Sequence, residues 1–267
     1  MGVRILPGSS LLGTQTLLVD AQEDGDTTSI QEALNAAAAF ASASRCWSVR
    51  VAPGTYSEQI TLKDYVDLLG LGPGRAVRFK RSSGALIAAP ATCTVSNLWL
   101  ETGGAPVLSL GAAFGGILEL DGVIIDQAAL DVQSIQVAGG TLRLSCCLLA
   151  AGGGLELSGG ALKAYDSILR NQAASDGGQN MALYIQHGTL LLAHCLVENL
   201  SPAGYCVYID NTVTSLKAYH STFRKADATY AIHATRSTDF TLAACCGNGA
   251  LHSDVTGYHD YVWDSSI

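Results

Sequence analysis

Apolar and polar residues alternate in short runs along most of this chain, and the runs recur as one unit. Gly116-Ile-Leu-Glu-Leu-Asp-Gly-Val-Ile-Ile-Asp-Gln aligns with Gly140-Thr-Leu-Arg-Leu-Ser-Cys-Cys-Leu-Leu-Ala-Ala and with Gly160-Ala-Leu-Lys-Ala-Tyr-Asp-Ser-Ile-Leu-Arg-Asn. Units opening at Gly188, Thr214 and Thr238 follow. The third position reads Leu118, Leu142, Leu162, Leu190, Leu216 and Phe240, at spacings of 24, 20, 28, 26 and 24 residues. A period in that range marks a solenoid or an array. Within a unit, positions three and five are apolar, and positions eight and ten are small or apolar. That pattern predicts two period-2 strands joined by a two-residue corner. A third strand precedes each unit, at Ile135/Val137, Leu155/Leu157, Leu183/Ile185 and Val207/Ile209. Three short strands per turn, each turning alternate residues inward, describe a parallel β-helix that rises about 4.8 Å per rung.

The corner, position seven, reads Asn97, Gly122, Cys146, Asp166, His194, His220 and Ala244. Gly, Asn, Asp and His tolerate a left-handed backbone, which a tight corner demands. Cys146 and Ala244 do not fit that explanation. Position eight reads Val123, Cys147, Ser167, Cys195, Ser221 and Cys245, an inward place for small side chains. Cys147, Cys195 and Cys245 fall two rungs apart, roughly 9–10 Å, too far for a disulfide. The eight cysteines, none in a Cys-x-x-Cys spacing, therefore read as small core hydrophobes, with no metal site and no cofactor implied.

Ahead of the repeats, Asp26-Thr-Thr-Ser-Ile-Gln-Glu-Ala-Leu-Asn-Ala-Ala-Ala-Ala-Phe-Ala carries Ile30, Ala33, Leu34, Ala37 and Phe40 at helical spacing. A helix over about 27–43 is expected, capped by Thr27 or Thr28, covering the apolar end of the solenoid. Val49-Arg-Val-Ala-Pro-Gly-Thr-Tyr-Ser-Glu-Gln-Ile-Thr-Leu and Val66-Asp-Leu-Leu-Gly-Leu-Gly follow. Residues 26–72 together resemble the N-terminal cap and first coils of the pectin lyase-like superfamily, which includes pectin methylesterases. The resemblance implies an all-β fold, a single right-handed parallel β-helix with a short capping helix, and crossover chirality gives the same hand. The Gly-x-Val-Asp-Phe-x-Phe-Gly segment and the Gln-Asp-Thr-Leu stretch of the methylesterases are missing from this sequence. No catalytic residue carries over from the resemblance.

The expected organisation is an arm over 1–25 and a β-helix over 26–267 that ends in a capping segment at about 252–267. The arm holds Leu11 and Leu12 and either covers the first coil or crosses to a neighbouring subunit. A net charge of −8 argues against attraction to nucleic acid or acidic membranes. No run of 18 apolar residues occurs, so no membrane span is expected. The opening Met1-Gly-Val-Arg-Ile-Leu-Pro lacks the apolar core of a signal peptide, and cysteines used as hydrophobes suit a reducing cytoplasm.

Candidate chemistry is sparse. Asp166, His194 and His220 stack along the corner row and could act as an acid–base relay or hold a metal, although corner tolerance explains them without function. Tyr184 and Tyr208 form an outward pair with Glu156 beside them, a surface for a protein partner or a sugar ring. Arg75, Arg78, Lys80 and Arg81 form a basic cluster, either a solvated outer strand or a contact to an acidic partner or phosphate. Position eleven, with Asp126, Ala150, Arg170, Glu198 and Arg224, reads as a surface salt ladder whose pairs contribute under about 1 kcal/mol each. These features predict a non-enzymatic bacteriophage virion protein. A homotrimeric capsid decoration (cement) protein is preferred over a short tail spike, with copies of itself and capsid or tail proteins as partners. It would reside in the virion after synthesis in the host cytoplasm. The alternative is a carbohydrate-active enzyme (lyase, hydrolase or esterase) or a glycan-binding β-helix, located in the cytoplasm.

Overall fold

A computed structural model describes residues 15–20, 25–89, 91–128, 132–172, 181–201, 204–226, 230–234, 240–247, 250–251, 258–259 and 263–264. The chain winds as a right-handed parallel β-helix with three walls. One coil shows the plan: Ile135–Val137 lies on the first wall, Thr141–Ser145 on the second and Leu148–Ala151 on the third. Each strand pairs in parallel with its counterparts one turn before and after. The first two walls form one eighteen-stranded sheet, and the third is a ten-stranded sheet. Alternation places one set of side chains inside. Leu118, Leu142, Leu162, Leu190 and Leu216 stack in strict register, as the repeat predicts, and the backbone of Phe240 pairs with that of Leu216 on the next rung. The aliphatic interior runs unbroken from Leu17 to Leu242.

On later coils the first two walls share a strand. Met181–Ala193 and Tyr205–Tyr219 each continue across the bend that the sequence treats as a break. Gly188 makes this bend with φ 110°, and a β carbon there would lie 2.5 Å from the Gly160 carbonyl oxygen of the rung below. Glycine heads the Gly188 unit because the backbones touch at this bend.

All seven corners from Asn97 to Ala244 are left-handed, including Cys146 (φ 54°) and Ala244 (φ 50°), the two that residue preference did not explain. The reason is the ladder. The corner N–H groups of Asn97, Gly122, Cys146, Asp166, His194 and His220 each donate to a carbonyl of the next coil, as Cys146 does to Tyr165 (3.1 Å) and His220 to Ala243 (2.9 Å). That continuity outweighs a local cost of about 1–2 kcal/mol for a side chain in this conformation. Just past the corner, Ser167 Oγ accepts from the Cys147 N–H (3.0 Å) and donates to the Tyr165 carbonyl (2.7 Å). Ser221 serves Cys195 in the same way. Serine therefore supplies a partner for the inward N–H one rung below, and cysteine fills the same small space elsewhere in the column. Five cysteines are buried as predicted, but Cys46 and Cys146 are exposed and Cys246 is half-buried. Burial pushes the Cys147 thiol up to about 11 and those of Cys93 and Cys206 to about 12, which leaves them inert.

The helix is shorter than its apolar periodicity suggests, spanning Ile30–Ala38. Ser29, not Thr27 or Thr28, is its N-cap and accepts from the Glu32 N–H. The Glu58 carboxylate completes the cap from the first coil, accepting from the Ile30 and Gln31 N–H groups at 2.8 and 3.0 Å. This tertiary contact overrides the local choice. Phe40 falls beyond the helix and is exposed, stacked on Trp47 at 5.7 Å. Gln15–Val19, assigned to the arm by sequence, is a strand of the second wall paired with Trp47–Val51. Leu11 and Leu12 lie outside the described residues. At the other end, Tyr258–His259 and Trp263–Asp264 add strands to the second and third walls. The other residues of the expected C-terminal cap lie outside the described set.

Candidate functional site

The first wall presents an outward column in which Gln136, Glu156, Tyr184, Tyr208 and His233 occupy successive rungs. Rung spacing brings their rings into contact. Tyr184 and Tyr208 have ring centroids 5.8 Å apart, and Tyr208 stacks on His233 at 5.0 Å. Tyr205 lies 4.7 Å from His233 and 5.6 Å from Tyr208, which closes an aromatic ledge. Gln186 donates to the Tyr184 hydroxyl at 3.0 Å, and that hydroxyl donates to Asp210 at 3.4 Å. Gln136 donates to Glu156 at 3.4 Å. Tyr184 is 9% exposed and Tyr208 half-buried, so the pair is less open than two outward tyrosines would suggest. The neighbouring rings and polar groups cover them. Burial, then the nearby Asp210, raise the Tyr208 phenol above its ordinary value, so it stays a neutral donor at physiological pH. Sequence reasoning paired Tyr184 with Tyr208 but missed Tyr205, Asp210 and His233. The register that aligns Tyr208 with His233 carried that signal.

The corner row does come together. His194 Nδ1 lies 3.5 Å from Asp166 Oδ1, and the His194 and His220 rings are 5.3 Å apart. The Asp166 and His194 side chains are more than 60% exposed. Open solvent screens such a pair, and a relay needs a dry, bounded site. Among the described residues no cluster of three His, Cys, Asp or Glu side chains could hold a metal ion.

The basic cluster is engaged with its own wall. Arg78 and Lys80 both pair with Glu101, the latter at 2.7 Å. The Arg78 guanidinium lies 4.1 Å over the Trp99 ring and that of Arg75 5.3 Å from it. Arg81 donates to the Ser83 carbonyl at 3.2 Å. Burial acts to raise the Glu101 carboxyl, but hydrogen bonds and charge from Lys80 and Arg78 outweigh it and hold the group below the ordinary carboxylate range. The salt ladder lies at the surface through Arg224, but its carboxylate Glu198 does not. Glu198 bonds to Arg170 at 2.6 Å and Arg224 at 3.1 Å, and its side chain is only 4% exposed. The two guanidiniums enclose it.

Between the corner row and these charged groups runs a column that sequence reasoning overlooked. Trp99, Ile124, Leu148, Ile168 and Leu196 occupy five successive rungs, pointing out of the third wall and partly exposed. The signal was position nine of the repeats from Gly116 to Gly188, outward by alternation yet apolar.

The chain matches no protein-family model and no curated protein sequence. Among solved structures it is similar to a pectin methylesterase from carrot, with 15% identity and a TM-score of 0.51 over 96% of this chain and 90% of that one. A pectin methylesterase from Aspergillus niger has 15% identity and a TM-score of 0.45 over 97% and 88% of the two chains. The A-module of the Azotobacter vinelandii mannuronan C-5 epimerase AlgE6 has 12% identity and a TM-score of 0.33 over 85% and 83%. The likeness to the carrot enzyme is one of fold, the pectin lyase-like right-handed β-helix.

Proposed function

We propose that this protein is a non-enzymatic structural β-helix that works by assembling with copies of itself, and that its setting is a bacteriophage virion, as a capsid decoration protein. The observation that carries this reading is the outer face of the third wall. Five rungs of apolar side chains point away from the core, and the adjoining carboxylates Glu101 and Glu198 are already paired within the chain. Contiguous outward apolar surface marks a contact face, and charges paired in advance are what a water-excluding contact requires. Glu101 is also unsuited to general-acid work, because such a group needs a raised pKa and this one is lowered. Five cysteines spent as core hydrophobes fit folding in a reducing compartment. Light scattering on the full chain should give the mass of an oligomer. A monomer at tens of micromolar, or turnover of a polysaccharide that is lost on substituting Asp166 or His194, would overturn the reading.

The aromatic ledge favours a second reading, glycan binding, because sugar rings pack on flat aromatic faces flanked by hydrogen-bonding groups. Tyr205, Tyr208 and His233 supply the faces, and Asp210 and Gln186 lie beside them. The carrot enzyme of the same fold acts, by its name, on a polysaccharide. Calorimetric titration of neutral and acidic oligosaccharides into the wild type and Tyr208→Ala tests it. Binding lost in the variant supports the reading, and no heat from either protein removes it.

A further inference from the structure

We propose that His194 and His220 form a two-imidazole site for a late divalent transition-metal ion, with Cu²⁺ bound most tightly and Ni²⁺ and Zn²⁺ behind it. The inference goes beyond both readings above and depends on neither.

The site follows from the corner. His194 and His220 close consecutive coils, because Ala193 and Tyr219, the residues before them, pair in register. Both corners are left-handed, at φ 54° and 47°. Each is tied to the coil after it. The His194 N–H donates to the Tyr219 carbonyl at 3.0 Å, and the His220 N–H to the Ala243 carbonyl at 2.9 Å. The ladder therefore holds two exposed imidazoles on one edge, with ring centroids 5.3 Å apart and planes at 45°. Bonds of about 2.0–2.1 Å to a tetrahedral ion put two nitrogens roughly 3.4 Å apart. Rings at the observed separation meet that distance when each turns one nitrogen towards the other, a motion that exposed side chains make freely. The backbone is fixed before the ion arrives, so binding orders two side chains and no loop.

Asp166 lies on the rung before His194 and His220 on the rung after, so they flank it from opposite sides. The three groups do not converge on one point, and the row offers two ligands and not three. Asp166 Oδ1, 3.5 Å from His194 Nδ1, instead favours the tautomer protonated there and leaves the Nε2 lone pair for the ion. A carboxylate behind a coordinating imidazole also raises its basicity. Solvent screening makes the Asp166–His194 contact weak as an ion pair, but it does not remove this orienting role.

The donor set chooses the ion. Neutral imidazoles suit Cu²⁺, Ni²⁺ and Zn²⁺, whereas Ca²⁺ and Mg²⁺ take oxygen ligands. Affinity at a given nitrogen site rises from Ni²⁺ to Cu²⁺ and falls again at Zn²⁺. Two protein ligands leave the remaining positions to water, which makes the site an open one.

Calorimetric titration of the full chain, without a histidine tag, with Cu²⁺, Ni²⁺ or Zn²⁺ tests the proposal. His194→Asn and His220→Asn preserve the corner, since Asn97 holds the same conformation in the same row at φ 53°. Either should weaken the strongest site about a hundredfold, because two linked donors bind about 10²–10⁴ times more tightly than one. Asp166→Asn should weaken it about tenfold. Excess Mg²⁺ should not compete. Electron paramagnetic resonance of the Cu²⁺ form should show two imidazole nitrogens in the wild type and one in either histidine variant. Wild-type affinity retained by either variant overturns the site, because the ion then rests on other groups. A one-nitrogen spectrum from the wild type overturns the pair without recourse to any variant. Unchanged affinity in Asp166→Asn overturns the orienting role of the carboxylate.

Discussion

The first and third walls expose the same backbone pattern to solvent but use it in opposite ways. On the first wall the outward column becomes aromatic at Tyr184, Tyr208 and His233, and its hydrogen-bonding groups, among them Gln186 and Asp210, serve those rings. On the third wall the outward column is mainly aliphatic, and its charges turn towards one another. An aromatic ledge with polar groups at its edge suits a partner that brings both flat faces and hydroxyls. An aliphatic ladder whose flanking carboxylates Glu101 and Glu198 are paired within the chain suits an apolar surface, and a surface with the same rung spacing is another copy. The difference teaches that a parallel β-helix separates its tasks by wall. In-register stacking multiplies whatever residue type occupies an outward position.

The strongest way to break the comparison is to exchange inside for outside on one strand of the third wall. Leu148 points out, while Leu149 is buried in the core. Leu149→Ala should destabilise the fold by about 2–5 kcal/mol, the cost of a cavity in a packed interior. Leu148→Ala should leave the urea midpoint of the dissociated chain nearly unchanged and act on assembly alone. Urea denaturation of both variants at low protein concentration measures this. Equal losses would mean that the ladder belongs to the folding core, and the distinction between the walls would fall.

On the first wall, Tyr208 touches Tyr184, Tyr205 and His233. Tyr208→Ala should cost about 1.5–4.5 kcal/mol, from three ring pairs at about 0.5–1.5 kcal/mol each. Tyr208→Phe should retain most of that stability, because the stacking survives. If the phenylalanine variant loses as much as the alanine variant, the hydroxyl and not the ring organises the ledge.

The Glu101 cluster sharpens the comparison through pH. Its folded carboxyl titrates below the ordinary value, so its contribution to stability is present above about pH 4.5 and fades as pH falls through the lowered value. Glu101→Gln should therefore flatten the acid limb of the stability curve below about pH 4.5. At neutral pH it should cost under about 1 kcal/mol, because solvent screens the pair. A wild-type acid limb that matches the variant's would show the pair to be energetically idle.

These walls were not equally legible in the sequence. The stacked leucines from Leu118 to Leu216 declared the coil, because a period-2 pattern repeated every 20–28 residues has few other solutions. What escaped was whatever a neighbouring coil decides. Ser29 caps the helix with help from Glu58, a residue 28 positions from Ile30. Glu198 is buried because arginines on the coils before and after enclose it. The aromatic ledge needed Tyr205 and His233, whose meeting depends on loop lengths that residue patterns do not encode. Position nine was in plain view, but its meaning depends on which face of the third wall is left uncovered.

The smallest effect isolates the corner that joins the second wall to the third. Gly122 and Ala244 hold the same left-handed conformation, at φ 61° and 50°. A β carbon on Gly122 would meet nothing within 4 Å, so packing does not enter the exchange. Gly122→Ala should then destabilise by about 0.5–1 kcal/mol, from backbone strain less the entropy that alanine saves in the unfolded chain. Ala244→Gly should stabilise by a similar amount for the same reason reversed. Opposite shifts in the urea midpoint confirm that the ladder imposes this conformation on whatever residue arrives. Two destabilised variants would instead mean that the Ala244 methyl group packs usefully, and that this corner is held by contact and not by hydrogen bonding alone.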